Sequence, residues 1–102
     1  MKTETKKLSP KQRKKLRGMA HHYDPVVMIG KHGLSESVTQ ALSDALLSHE
    51  LIKVKFQNFK DQKKEIALKV ETTTKSHLVG LVGNIAIFYK QNPDPKKRKI
   101  DY

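Results

Sequence analysis

Apolar residues recur along the chain with two different periods, and the switches between them mark out its elements. After Ser9 and Pro10, the residues Leu16, Met19, Ala20 and Tyr23 recur at i, i+3, i+4, i+7, the spacing of one helix face. Serine as N-cap and proline at the first helical position set the start. Asp24-Pro25 sets the end, so a helix over 10 to about 22 is predicted. Residues 26–29, VVMI, are a continuous apolar run, which predicts a strand buried on both faces. The loop GKHG follows at 30–33. A second helix begins at Leu34 or Ser35, and its Val38, Ala41, Leu42, Ala45 and Leu46 form an apolar stripe to about Ser48.

From Leu51 to Phe56 the pattern changes to strict alternation, with Ile52, Val54 and Phe56 inward and Lys53 and Lys55 outward. Residues 61 to about 73 fit either period, since Ile66, Leu68 and Val70 alternate while Ile66, Ala67, Val70 and Thr74 fall on one helical face. Asp61 as a cap and the Lys/Glu-rich first turns favour a helix. Two apolar runs, 77–82 and 85–89, flank Gly83-Asn84, a tight hairpin signal. Pro93 and Pro95 are expected to end the folded part. The order α-β-α-β-α-β-β predicts a single-domain α/β sandwich on a four-stranded mixed sheet with a closing antiparallel hairpin. Residues 1–8 read as a basic flexible arm, 9–91 as the domain and 92–102 as a basic C-terminal tail.

Charge changes this picture by its placement more than by its sum of +11. Residues 1–17 hold eight Lys/Arg against one acid and residues 90–102 hold five against two, while residues 18–89 hold eight against seven. A surface for polyanions is therefore expected from the two ends of the chain and selected loops, and clustered positive charge is a footprint for nucleic acid. The basic helix lacks the aromatic apolar face of membrane-surface binders. Cysteine is absent, and no export segment or span-length apolar stretch is visible, so a cytoplasmic location is expected.

Catalytic chemistry finds little to work with. No carboxylate pair sits in an acid/base context and no serine lies in a nucleophile elbow. His21, His22, His32, His49 and His77 are scattered, without carboxylates at metal-ligand spacing. The expectation is a non-enzyme with no metal, cofactor or small-molecule substrate.

The loop of Gly30, Lys31, His32 and Gly33 is the strongest candidate. Glycines let a ligand approach the backbone without a Cβ in the way, and the following helix start offers free N–H groups and a positive dipole end. Lys31 adds a cation and His32 a planar ring, in the manner of loops that clamp a nucleic-acid backbone. Gly80-Leu81-Val82-Gly83 has the same spacing, but its filling is apolar and it lies within a strand, so it reads as structural. Further expected contacts are Lys11, Arg13, Lys14, Lys15 and Arg17 on the first helix, and Lys53 and Lys55 on the strand. Phe59 and Tyr89 could stack on bases, but packing suits them better.

The stretches LSPKQRKKLRGMAHHYDPVVMIGKHGLSESV, ALSDALLSHELIKVKF and HLVGLVGNIAIFYK together resemble the CRM domain (chloroplast RNA splicing and ribosome maturation) in its bacterial stand-alone YhbY form, over about residues 8–90. The resemblance implies a fold similar to the C-terminal domain of translation initiation factor three. It also implies an RNA surface made by residues 30–33 beside the basic first helix, and association with ribosomal RNA in precursors of the large ribosomal subunit; separately, a monomer is expected. One departure is Lys90, where the family's last strand commonly carries arginine after its tyrosine. Lysine keeps the charge of an expected RNA contact and loses the planar fork. Two other readings are a general charge-driven RNA chaperone or nucleic-acid binder, and a protein-interaction module using the acidic 36–50 helix.

Overall fold

The computed structural model describes residues 8–30, 33–57 and 62–100. Its elements run α1 (Pro10–Ala20), β1 (Pro25–Ile29), α2 (Glu36–His49), β2 (Leu51–Phe56), α3 (Lys63–Thr74), β3 (His77–Val82), β4 (Ile85–Tyr89) and a 3-10 turn (Pro95–Lys97). The α/β fold with three helices on one mixed sheet follows the order expected from the pattern. Of the segment that fits both periods, Lys63–Thr74 forms a helix, and Ala67, Val70 and Thr74 are its buried face. Asp61, the expected cap, lies outside the described residues.

Local chemistry explains the helix starts. Ser9 Oγ accepts from Gln12 N–H at 3.1 Å and Gln12 Oε1 accepts from Ser9 N–H at 2.9 Å, a reciprocal capping box ahead of Pro10. Ser35 Oγ likewise accepts from Val38 N–H and caps α2. The sheet order is β1-β2-β4-β3. β1 is parallel to β2, and β4 lies antiparallel between β2 and β3. Helices cover both faces. Ile52, Val54 and Phe56 pack with Leu42, Leu46, Ala67 and Val70 beneath α2 and α3. On the opposite face Leu51, Val79, Ile87 and Tyr89 pack beneath Leu16 and Ala20 of α1. Tyr89 is thus core, stacked at 6.4 Å on His77 of the paired strand.

Two expectations are corrected. The run 26–29 is not buried on both faces: β1 is an edge strand, and Val26 and Met28 are 50% and 53% exposed while Ile29 is buried. α1 contacts β3, β2 and β4 and leaves β1 uncovered on its side of the sheet. The fold also continues past Pro93. Asn92 is buried, Ile100 packs against the α1-side core, and the backbone N–H groups of Asn92, Lys99 and Ile100 all donate to the carboxylate of Glu50. At the other end Leu8 is buried as well.

β3 shows what the first helix does for the sheet. Its register slips between Leu78 and Gly80, which leaves edge carbonyls without ladder partners. Arg13 Nη1 donates to the Leu78 carbonyl at 2.6 Å and Arg17 Nη1 to that of Val79 at 2.9 Å, while Glu71 Oε2 accepts from Leu78 N–H. These side chains blunt an edge that would otherwise be open to further pairing. Gly80 makes room for one of them, since a Cβ there would lie 2.8 Å from Arg17 Cδ. Gly80→Ala is therefore expected to lower stability by about 1–2 kcal/mol. In an Arg17→Ala background the same change should cost less, a difference that a urea double-mutant cycle reads directly.

Candidate nucleic-acid interface

The expected site residues fall into three groups. The first surrounds the glycine loop at the C-terminal ends of β1 and β2. Gly33 N–H donates to the Gly30 carbonyl at 3.0 Å and closes the turn, and Gln57 N–H donates to the Ile29 carbonyl just before it. Gly33 has φ +67, a conformation that disfavours any side chain. Among the described residues, a Cβ on Gly30 would meet only Gln57 Oε1, at 3.8 Å. The two glycines thus differ: the turn needs Gly33, whereas Gly30 mainly keeps the surface low. Two residues beyond Gly33, capped Ser35 opens the 14-residue α2, whose first N–H groups and dipole face the loop's end of the sheet. Lys31 and His32 lie outside the described residues, as does Phe59.

Lys55 belongs with this group. It is exposed and pairs with Met28, one position before Ile29 and Phe56. Lys55 and Met28 sit on the α1 face of the sheet, beyond the helix. The run 26–29 gave no sign of this, because a continuous apolar stretch does not reveal which alternate side is open. Lys53 lies on the same face, and its Nζ donates to the His21 carbonyl at the end of α1 at 3.0 Å.

The second group is α1. Lys11, Lys14 and Lys15 are exposed on its outer side, free of any structural duty that Arg13 and Arg17 carry toward β3. The third is Lys90, which lies at the opposite end of the sheet. Its N–H donates to the Glu50 carbonyl where β2 begins, and six strand residues separate it from the loop, about 20 Å. It is therefore not brought together with Gly30 and Gly33.

His77 lies near Arg13, and its environment perturbs its pKa. Burial, and then the Arg13 guanidinium, push it below the ordinary histidine value, against a smaller opposing pull from Glu71. A depressed basic group is protonated more readily in the unfolded chain, so the unfolded state gains protons first as pH falls. The stabilising contribution is complete above about pH 6.5 and is lost progressively below it. Urea midpoints between about pH 7.5 and 5.5 should fall, and less so in His77→Gln.

Among the described residues no helix is long and apolar enough to cross a membrane, and no cluster of three His, Asp or Glu could hold a metal ion.

Comparison with known proteins supplies the context for this geometry. The chain is 39% identical over 90 residues to an RNA-binding protein of Haemophilus influenzae, covering 87% of this chain and 91% of the relative. It is 34% identical over 94 residues to the probable RNA-binding protein YqeI of Bacillus subtilis, covering 91% and 98%. The solution structure of the hypothetical protein SAV1595 from Staphylococcus aureus matches with a TM-score of 0.78 at 36% identity, over 93% of this chain and 100% of that one. The model of the CRS1/YhbY (CRM) domain matches residues 8–90. By that match, and by relatives aligned along nearly their whole length, the chain belongs to the CRS1/YhbY (CRM) domain family.

Proposed function

We propose that this protein is a non-catalytic RNA-binding module acting in the cytoplasm as a monomer, and that its target is ribosomal RNA in precursors of the large subunit. One observation carries the reading: a low glycine turn at a capped helix start lies at the end of β1 beside the exposed Lys55 of β2, on the sheet whose neighbouring helix α1 presents Lys11, Lys14 and Lys15 to solvent. Relatives named as RNA-binding proteins support it. Phosphates approach the turn's N–H groups, with Lys31 and His32 beside them, and Lys11, Lys14, Lys15 and Lys55 supply the salt-dependent part of the affinity. Arg13 and Arg17 keep α1 seated on β3 so that those lysines are held in place.

The test is binding to a structured ribosomal RNA fragment as a function of salt, together with sedimentation of the tagged protein from cell extract. Co-migration with large-subunit precursors is expected. Reversing Lys11, Lys14 and Lys15 to Glu should weaken binding to all RNAs alike and flatten the log–log salt slope by about one unit per lost phosphate contact. An unchanged slope would remove α1 from the interface. Migration with free protein alone would reject the ribosomal target.

A further inference from the structure

β1 is shorter than the strand it pairs with. Its register begins at Pro25 opposite Lys53, so Leu51 and Ile52 run on past it at the sheet's edge. A notch of about 440 Å³ results, within the range of small-ligand pockets. Three segments wall it: Tyr23 and Asp24 before β1, His49 at the end of α2, and Lys99 with Ile100.

Backbone alternation fixes what the floor presents. Phe56 N–H donates to Asn84 and the Glu50 carbonyl accepts from Lys90, both toward β4, whereas Gln57 N–H donates to Ile29 of β1. Even-numbered residues of β2 thus turn their polar groups to β4 and odd-numbered ones to β1. Leu51 therefore turns its backbone toward the notch below the first β1 partner, yet Leu51 and Ile52 are each only 1% exposed, so they form a covered, apolar floor. Above this floor stand Tyr23, 38% exposed, the exposed His49 and Asp24.

The third wall is preformed. Glu50 is fully buried, and its carboxylate accepts from Asn92, Lys99 and Ile100 N–H, which holds Lys99 and Ile100 at the notch with the Lys99 side chain exposed. A peptide strand does not suit the gap, because two open residues give only about 7 Å of edge. Two exposed rings over an apolar floor, with Lys99 at the rim, match an unstacked base with a phosphate outside.

We propose that this notch receives one base of single-stranded RNA, with a flanking phosphate at Lys99. The proposal rests on the RNA-binding reading and adds a second contact, at the far end of the sheet from Gly30 and Gly33. A bound RNA then presents a structured part to the loop and a single strand to the notch.

Two RNAs test this: a blunt hairpin, and the same hairpin with a short single-stranded extension. The extension should tighten binding to the intact protein about tenfold, the order found for stacking one base. Thiouridine within it should photocrosslink to the peptide containing Tyr23 or the one containing His49. Tyr23→Ala with His49→Ala should abolish the gain and leave hairpin affinity unchanged. Val26→Glu, at a half-exposed rim position, should do the same without touching either ring. If the hairpin binds and the extension adds nothing, the notch proposal fails and the RNA-binding reading stands. A gain that survives both variants places the single strand elsewhere and also overturns it. If neither RNA binds, the RNA-binding reading falls and the notch proposal with it.

Discussion

Glu50→Gln is expected to lower the unfolding free energy by about 3 kcal/mol and to release residues 92–100 from the domain. Glu50 has no exposed surface, and an unpaired carboxylate in such a place would be costly. Three backbone N–H groups offset that cost: Asn92 at 2.6 Å to Oε2, and Lys99 and Ile100 to Oε1. Bonds of this charge-assisted kind contribute roughly twice a neutral one. Glutamine has the same shape but turns an NH₂ donor against one set of N–H donors, so at least one bond becomes a donor–donor clash. The residue also occupies φ 64, ψ −42 as the C-cap of α2, a strained position for a side chain. Glu50→Gly relieves that strain while removing the carboxylate, so comparing it with Gln separates backbone from side-chain contributions. Urea unfolding gives the stability, and hydrogen exchange at the Lys99 and Ile100 amides gives the release. Retained protection at both amides in Glu50→Gln would rule out the latch. A released tail should also remove the gain that a single-stranded extension confers.

The features that were readable in the sequence are those written in local chemistry. Ser9-Pro10 announces its helix because cap and proline act on adjacent backbone groups. Gly83, at φ +58, announces the hairpin because it meets a local conformational demand. Lys53 and Lys55 declare the α1 face of β2 by alternation alone. The features that were missed depend on partners far along the chain. Glu50 reads as one acid at a helix end, yet its carboxylate is used by residues 42 to 50 positions later. The KKRK segment reads as a solvated tail because nothing in a run of lysines reveals a buried acceptor for its backbone. Arg13 and Arg17 look interchangeable with Lys14 and Lys15 in composition. A register slip in β3, itself invisible in HLVGLV, gives them carbonyls to hold. The GLVG spacing reads as structural, and the structure supplies a reason absent from the sequence: the Arg17 stem lies across Gly80. For the candidate site, the loop and the strand lysines were legible, and the separation of Lys90 from them required the strand order.

Gly30→Asp is expected to cut affinity for structured RNA about 30-fold, roughly 2 kcal/mol, with the thermal midpoint unchanged. Position matters more than identity here, because the two loop glycines do different work. A side chain at Gly33 would be forced into φ +67, so weakened binding by Gly33→Asp would mix lost turn geometry with lost contact. Gly30 does not have a positive φ, and among the described residues the nearest neighbour of its missing Cβ is Gln57 Oε1, 3.8 Å away. A carboxylate there leaves the Gly33–Gly30 hydrogen bond and the Ser35 cap intact. It sets a like charge where a phosphate would approach the start of α2. Gly30→Ala, which adds bulk without charge, should fall between the wild type and the aspartate. That ordering separates a backbone grip from simple attraction. A binder held by charge alone senses one added carboxylate only slightly and alanine not at all, while reversing Lys11, Lys14 and Lys15 removes most of its affinity. A loop that grips phosphates responds to both glycine variants, and it does so at high salt, where the contribution of the helix lysines is screened and that of the close contact persists.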